Sequence, residues 1–497
     1  VTRKRLILVT LGVMMSLFMA SMESTVIATA MPTIVAQLGG LENYSWVFSI
    51  YLLTSTTTGP IFGKLSDIFG RRPIFMAAII LFVIGSLLCG IANTMGQLIA
   101  ARAVQGVGAG GLMPLAFIIV GDIYTLEQRT KVQGLFSGVW GVSSVIGPLI
   151  GGFLVDVVSW HWVFLVNIPA AIVAAALVWF GWSGVAQPTG ARPAIDYAGA
   201  GLLIVAVVAL LLGLNDLGQT LNQALLGLAL AATAALIWVE LRAPAPILPL
   251  RLLKDRMFAV ACIHGALAGW ALFGSMSYVP LYVQGVLGTS AIEAGSTLTP
   301  LLLGWVFTSI LASRLLLRVS YRSVAVVGMT GFLVGAVLLT QAPNVGNRLF
   351  LMTALTLLGI GMGASIPSFM IAVQASVARN QMGAATASIQ FARQIGGTIG
   401  VAVLGVVLAS QLAANLAVTG LSPDAIPIDA LLGEGSGEIA LPAAARPALA
   451  AAIGSIFNLT LGVALFATIA AFCAPKGSIT QLRDRREAQE AALLAGD

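Results

Sequence analysis

The sequence predicts an all-α integral membrane protein: two six-helix bundles with two further helices inserted between them, fourteen transmembrane helices in all. Three observations predict this class. The 497 residues are 58% hydrophobic and only 9% charged, with a mean hydropathy of +0.98, whereas a soluble protein carries roughly 25% charged residues. Apolar runs of about 20 residues, the length that crosses a bilayer, recur along the whole chain. The first and last parts of the chain repeat one another. Together these exclude a soluble globular enzyme, a disordered chain and a nucleic-acid-binding domain. The net charge of +6 comes with no basic face that could lie on a phosphate backbone.

In chain order the runs fall at roughly 6–31, 46–63, 73–92, 98–121, 133–155, 162–182, 197–214, 224–241, 257–283, 293–317, 323–341, 348–375, 385–410 and 451–473. The first follows Arg3-Lys4-Arg5 but is too long for a signal-peptide core and carries Glu23, so it reads as a span. With the N-terminus cytoplasmic, 21 of the 25 Lys and Arg residues fall on the inner side. Only Arg348 and Arg446 fall outside, and Arg102 and Arg393 lie within spans. This split follows the positive-inside rule and supports an even number of spans with both termini cytoplasmic. The expected organisation is a first bundle over 1–183, the inserted pair with its flanking loops over 184–256, a second bundle over 257–475, and a cytoplasmic tail over 476–497. The second bundle includes a Pro/Gly/Ala-rich outer loop at 411–450.

The duplication is explicit in the residues. Gly106-x-Gly108-x-Gly110-x-x-x-Pro114 matches Gly359-x-Gly361-x-Gly363-x-x-x-Pro367, and Ile146-Gly147…Ile150-Gly151 matches Ile395-Gly396…Ile399-Gly400. The connection Lys64…Arg72 has a degraded echo in Arg314…Arg322. Each match is eight spans apart, so a six-span unit is repeated around two inserted spans. Parallel repeats of this kind build many transporters, which rock their halves around a site near the bilayer midplane.

Several motifs stand in register on this plan. The second connection reads Gly63-Lys-Leu-Ser-Asp67-Ile-Phe-Gly70-Arg71-Arg72-Pro73, a tight cytoplasmic turn whose glycines permit close approach and whose charges can pair with neighbouring helix ends. Span 4 opens Arg102-Ala-Val-Gln105-Gly106, and span 5 carries Gly138-x-x-Gly141…Gly147-Pro148-x-x-Gly151-Gly152. Span 1 runs Glu23-Ser-Thr-Val-Ile-Ala-Thr-Ala-Met31-Pro32, and the loop before span 6 runs Trp160-His161-Trp-Val-Phe-Leu-Val-Asn167-Ile-Pro169. The second connection resembles the GxLaDrxGrkxxl signature of the major facilitator superfamily. The others resemble the span-4 RxxqGxgxa signature, the antiporter motif, and the lDxTvvnvAlP and WRWvFliNvP motifs of that superfamily's 14-spanner drug:proton antiporter branch. The resemblance covers residues 3 to about 475. It departs at Glu23, where the pattern has Asp, and at His161, where it has Arg. It implies a major facilitator fold that exports drugs in exchange for protons.

Sorting the charges by depth points to the chemistry. Of the 19 acidic residues only Glu23 lies mid-span. A carboxylate in hydrocarbon is costly to ionise, which suits a proton carrier; the structural alternative is an acid that pairs helices. Arg102 is its natural counter-charge, with Gln105 extending a polar network, and offset 253 puts Leu355 opposite Arg102 in the second repeat. Candidate gating residues are Gly63, Asp67, Gly70, Arg71, Arg72, Gly147, Pro148 and Gly151. Candidate substrate-lining residues are Met22, Gln105, Trp140, Trp270, Phe273, Tyr278, Gln390 and Arg393, each of which also fits plain helix packing.

Cys89, Cys262 and Cys473 lie far apart in apolar runs and read as small buried hydrophobes, with no metal or disulfide framework. Gly106-x-Gly108-x-x-Gly111 fits a dinucleotide fingerprint but sits inside a span with no preceding strand. Gly59-x-x-x-Gly63-Lys64 falls one residue short of a P-loop, so the expected driving force is a proton gradient without a cofactor. The expected protein is a monomeric plasma-membrane (inner-membrane) exporter of small lipophilic or cationic compounds, taking protons and the lipid bilayer as partners and no nucleic acid. Two alternatives stay open: export of a lipid or cell-envelope precursor on the same fold and, distantly, an intramembrane enzyme.

Overall fold

The computed structural model describes residues 3–39, 44–182, 196–214, 219–289, 291–378, 381–419 and 445–495. All regular structure among them is helical. The first part comprises α1 (Arg3–Leu38), α2 (Tyr44–Phe69), α3 (Arg71–Gly90), α4 (Met95–Ile123), α5 (Leu126–Val157), the short α6 (His161–Leu165) and α7 (Asn167–Gly181). The expected inserted pair is α8 (Tyr197–Gly213) and α9 (Thr220–Glu240). The rest comprises α10 (Arg256–Gly285), α11 (Ala291–Thr297), α12 (Thr299–Leu315), α13 (Tyr321–Thr340), α14 (Ala342–Val345), α15 (Arg348–Ser376), α16 (Met382–Thr419), α17 (Arg446–Phe472) and α18 (Ile479–Ala495).

Among the described residues eleven helices are long and apolar enough to cross a membrane, against the fourteen expected. Helices α2, α5 and α8 cover the other three expected positions. The last is only 17 residues long, and α2 is diluted by the run Thr54-Ser-Thr-Thr-Thr58.

Three details correct the sequence reading. The spans on either side of the tight Lys64–Arg72 turn are longer than their apolar runs: α2 continues to Phe69, α3 begins at Arg71, and the chain reverses at the single residue Gly70. Gly70 has φ 98°, a conformation that costs glycine no Cβ clash. The outer loop is shorter than 411–450, because α16 runs on to Thr419 and α17 begins at Arg446. The residues after 410 are mostly Ala and Leu, good helix formers with no stop signal, and residues 420–444 lie outside the described set. Cys473 is exposed, because α17 ends one residue before it.

The chain groups into two compact units. The first holds Val1–Asp255, Val373–Phe391 and Arg483–Asp497; the second holds Arg256–Ala372 and Ala392–Leu482. In the first, α1 packs on α5 and α7 while α4 packs on α2 and α3. The core fills with Val13, Leu17, Phe75, Phe82, Leu112 and Phe136. Helices α8 and α9 pair with each other, and α8 also touches α2. In the second unit, α10 and α13 pack on α17.

Glycine notches set the close helix contacts, and they repeat. A Cβ on Gly106 would sit 2.6 Å from the Tyr51 carbonyl oxygen, and one on Gly359 would strike the Leu301 carbonyl. A Cβ on Gly108 would lie 2.8 Å from the Ala78 carbonyl oxygen, and one on Gly361 would lie 2.8 Å from that of Gly328. Gly110 meets Ser55 just as Gly363 meets Trp305. Each partner in the second unit stands 250 residues after its counterpart in the first, so the duplication extends from the motif to the surfaces it packs against.

Candidate functional site

Two polar clusters form inside the first unit. The deeper one is built on α1 and α4. Glu23 and Arg102 are each 1% exposed, and Arg102 Nη1 donates to Glu23 Oε1 at 2.7 Å. The same nitrogen donates to Gln105 Oε1 at 2.5 Å, and Nε donates to the Val47 carbonyl at 3.1 Å. The guanidinium stacks 4.0 Å over the Tyr51 ring, which favours a cation there. Gln105 is three residues from Arg102, so both lie on one face of α4. Its Nε2 donates to Ser86 Oγ at 2.8 Å, and Gly85 on α3 makes room for its backbone. The second Glu23 oxygen, Oε2, accepts from Asn167 Nδ2 at 2.7 Å. Breaking a buried pair from one side costs about 3–5 kcal/mol, because it strands the other charge. Here the charges are held by a connected set of hydrogen bonds, the condition under which such burial is tolerated.

The second cluster lies at the end of α2, beyond the apolar run 46–63. Asp67 accepts from Arg71 Nη1 at 2.5 Å and from the backbone N–H groups of Gly383 at 3.1 Å and Ala384 at 2.9 Å. Those amides open α16, and a helix N-terminus offers unpaired donors and a partial positive charge to a carboxylate. Burial pushes the Asp67 carboxyl above its ordinary range, while Arg71 and the two backbone donors act in the opposite direction. Arg71 Nε also donates to Asp122 Oδ2 at 2.6 Å, and its Nη1 donates to Ser66 Oγ at 2.9 Å. Gly63 is needed for close approach: a Cβ there would strike Ala387 and come within 3.0 Å of the Gly383 carbonyl oxygen. Arg72 leaves this cluster and stacks 3.9 Å over Trp179.

The remaining candidates distribute as follows. Gly147 and Gly151 are buried on α5. Pro148 lies in the same helix, and its side chain falls outside the described set. A hydrogen bond of 2.6 Å from Ser21 Oγ to Ser143 Oγ ties α1 to α5. Met22 is buried beside Glu23, Trp140 is half-buried against the first unit's core, and Gln390 is buried. In the second unit Trp270 and Phe273 on α10 lie against Gly400 and Gly397 of α16. Tyr278 donates to the Val401 carbonyl at 2.9 Å. These three aromatics fill the notches of α16, so helix packing accounts for them. Arg393 is half-buried on α16, its carbonyl seated in the notch of Gly269, with no ion-pair partner among the described residues. At the outer loop His161 stacks on Trp160, with ring centroids 3.7 Å apart, and bonds with Ser159 Oγ at 3.1 Å.

Sequence reasoning missed Asn167, Tyr51 and Ser86 as members of the deep cluster. Asn167 was visible within the loop motif quoted above, as a lone amide in an otherwise apolar stretch. Tyr51 and Ser86 carried no signal that distinguishes them from ordinary span residues.

A duplicated bundle of long apolar helices, with a satisfied charge pair inside its first repeat, defines a multi-pass membrane transporter of small molecules rather than an enzyme. The model of the Major Facilitator Superfamily matches residues 13–401, and the chain belongs to that superfamily. It is 39% identical to the multidrug transporter protein MdtP of Bacillus subtilis (strain 168) over 437 residues, covering 86% of this chain and 80% of that protein. It is 35% identical to multidrug resistance protein 3 of the same organism over 405 residues, covering 80% and 79%. Among solved structures it resembles the human organic anion transporter MFSD10, with a TM-score of 0.61, 15% identity, and 95% of this chain and 100% of that chain covered. At that identity the likeness concerns the fold alone.

Proposed function

We propose that the chain is a proton-coupled exporter of lipophilic or amphipathic compounds, of the fourteen-span drug:proton antiporter branch, working by alternating access. It sits in the plasma membrane as a monomer with both termini cytoplasmic, and it needs no cofactor. The buried Glu23–Arg102 pair carries the reading, and the likeness to the two Bacillus proteins named for multidrug transport and resistance supports the multidrug cargo.

Ionised Glu23 is held by Arg102 and Asn167. A proton arriving on Glu23 removes the negative charge that Arg102 pairs with, so the helices α1 and α4 lose the ion pair that joins them. Export of a cationic or amphipathic compound follows from the same competition, since cargo and proton are alternative neutralisers of one carboxylate. Each proton that returns down a membrane potential contributes about 2.3 kcal/mol per 100 mV, and roughly 1.4 kcal/mol sustains a tenfold gradient. The bonds of Asp67 to the first turn of α16 open and close once per cycle, which makes this cluster a gate. The buried Gly147 and Gly151 of α5 keep that helix slim where it meets its neighbours, which would limit proton leak.

The test is exchange in proteoliposomes with an imposed proton gradient and the lipophilic cation ethidium. Ethidium should dissipate the gradient through the unmodified protein and not through Glu23→Gln; equal exchange by Glu23→Gln overturns the carrier assignment. Deleting residues 420–440 sorts the cargo. Intact ethidium exchange with lost lipid export in that variant would favour the lipid or envelope-precursor reading.

A further inference from the structure

We propose that Asn167 is a positioning residue that hydrogen-bonds Glu23 in both of its protonation states, by turning its amide over when the proton arrives. The inference rests on the reading of Glu23 as the proton carrier and adds how the protein accommodates the neutral acid.

The geometry divides the two carboxylate oxygens between two partners. Oε1 accepts from Arg102, and Oε2 faces only the amide of Asn167 in the hydrogen bonds formed by the described residues. The charged and titratable groups around Glu23 are the cation Arg102 on α4 and the neutral Tyr51 on α2 and Cys89 on α3, with the amides Gln105 and Asn167 completing the ring. A proton therefore settles on Oε2, the oxygen turned away from the guanidinium. The bond made to Asn167 then changes sense: an O–H donor on Oε2 cannot accept from Nδ2–H along the same line and needs an acceptor in its place.

Asn167 holds that acceptor in reserve. The residue is 1% exposed, and its Oδ1 is buried with no hydrogen-bond partner among the described residues. A buried unpaired polar atom costs about 1–3 kcal/mol, so its presence beside the proton site calls for an explanation. The amide oxygen and nitrogen are nearly the same size. A half-turn about Cβ–Cγ brings Oδ1 to where Nδ2 stands, and since Oδ1 had no partner to lose, the turn breaks only the bond it replaces. Each protonation state thus keeps one hydrogen bond between the same two side chains: Nδ2–H to carboxylate, or carboxyl O–H to Oδ1. A serine offers a shorter arm, and an aspartate would place a second charge on Glu23, so an amide meets the need best. Asn167 is the first residue of α7, two before Pro169, a placement that fixes its backbone while the side chain turns.

The experiment is pH-difference infrared spectroscopy on the purified full-length protein. Subtracting the response of Glu23→Gln isolates the carboxyl band of Glu23 and everything that moves with it. The expected result is an accompanying asparagine side-chain carbonyl pair. It shifts when the unmodified protein is labelled with [13C]asparagine, disappears in Asn167→Leu, and is replaced in Asn167→Gln by a glutamine carbonyl pair that the asparagine label does not shift. The labelling arm needs no change at Asn167 and stands even where Asn167→Leu fails to fold. A Glu23 carboxyl band with no label-sensitive amide pair overturns the role of Asn167 and leaves the carrier reading intact. Absence of any Glu23-dependent carboxyl band overturns both.

Discussion

Helices α4 and α15 carry one frame and two chemistries. Gly106, Gly108 and Gly110 on α4 and Gly359, Gly361 and Gly363 on α15 lie against partners that correspond one for one, down to the same 2.8 Å approach to a carbonyl oxygen at Gly108 and Gly361. One turn earlier the two helices part. Arg102 and Gln105 are replaced, at the same offset of 253, by Leu355 and Leu358. Those leucines are fully buried, as the arginine and glutamine are. Gly85 opposite Gln105 and Gly335 opposite Leu358 are likewise conserved as a notch. Duplication has kept the backbone-to-backbone contacts, which glycine alone permits, and has let the side chains one turn away diverge. The shared frame is packing; the difference is the polar network of the first repeat.

The comparison can be broken most severely by writing the second repeat into the first. Arg102→Leu strands the buried Glu23 carboxylate and should destabilise the first unit by about 3–5 kcal/mol. Adding Glu23→Gln should recover most of that loss in thermal unfolding without restoring exchange; a single variant as stable as the parent would show that the pair is not buried as described. Next in size, Glu23→Gln alone should lower proton-coupled ethidium exchange by about 100-fold, equivalent to roughly 2.7 kcal/mol, with ethidium binding retained by fluorescence titration. The shared frame gives a smaller and symmetrical effect. Gly108→Ala and Gly361→Ala should each cost about 1–3 kcal/mol through overpacking, and similar losses in denaturation would sharpen the equivalence of the two notches. The smallest effect belongs to Asp67→Asn. It keeps an acceptor for the α16 amides but removes the charge, so turnover should fall by a few-fold, about 1 kcal/mol, with binding unchanged. Unaltered turnover would remove Asp67 from the gate.

What could be read from the sequence follows from how rare each signal is. Glu23 and Arg102 were legible because charges in apolar spans are few enough to sort one by one, and Gln105 followed from its spacing of three. Asn167 was not singled out, because a neutral amide 144 residues from Glu23 carries no mark of its partner. Asp67 was visible as a charge in a motif, but its acceptor role was not. The donors are backbone N–H groups of Gly383 and Ala384, more than 300 residues away, and backbone groups leave no trace in composition. Helix ends were the weakest reading: nothing in Gln411–Leu416 signals a stop, so α16 outruns its hydrophobic segment. The aromatics Trp270 and Phe273 were read as cavity candidates because aromatic residues in spans suggest a lining. The glycines opposite them on α16 give them a packing partner that the sequence did not show.

The matched notches also bear on how the chain is assembled. Notches that match at three successive glycines are alike in shape, so a misplaced α15 would offer α2 and α3 much the same grooves as α4 does. Shape alone does not tell the newly made chain which helix belongs where. Order of synthesis does, because α4 emerges next to α2 and α3 long before α12 and α13 exist. The polar side chains then act as an address: a misplaced α15 would bring Leu355 where Glu23 needs a cation and Leu358 where Ser86 needs an amide. The Glu23–Arg102 network is therefore also what makes wrong pairing of the two look-alike halves expensive.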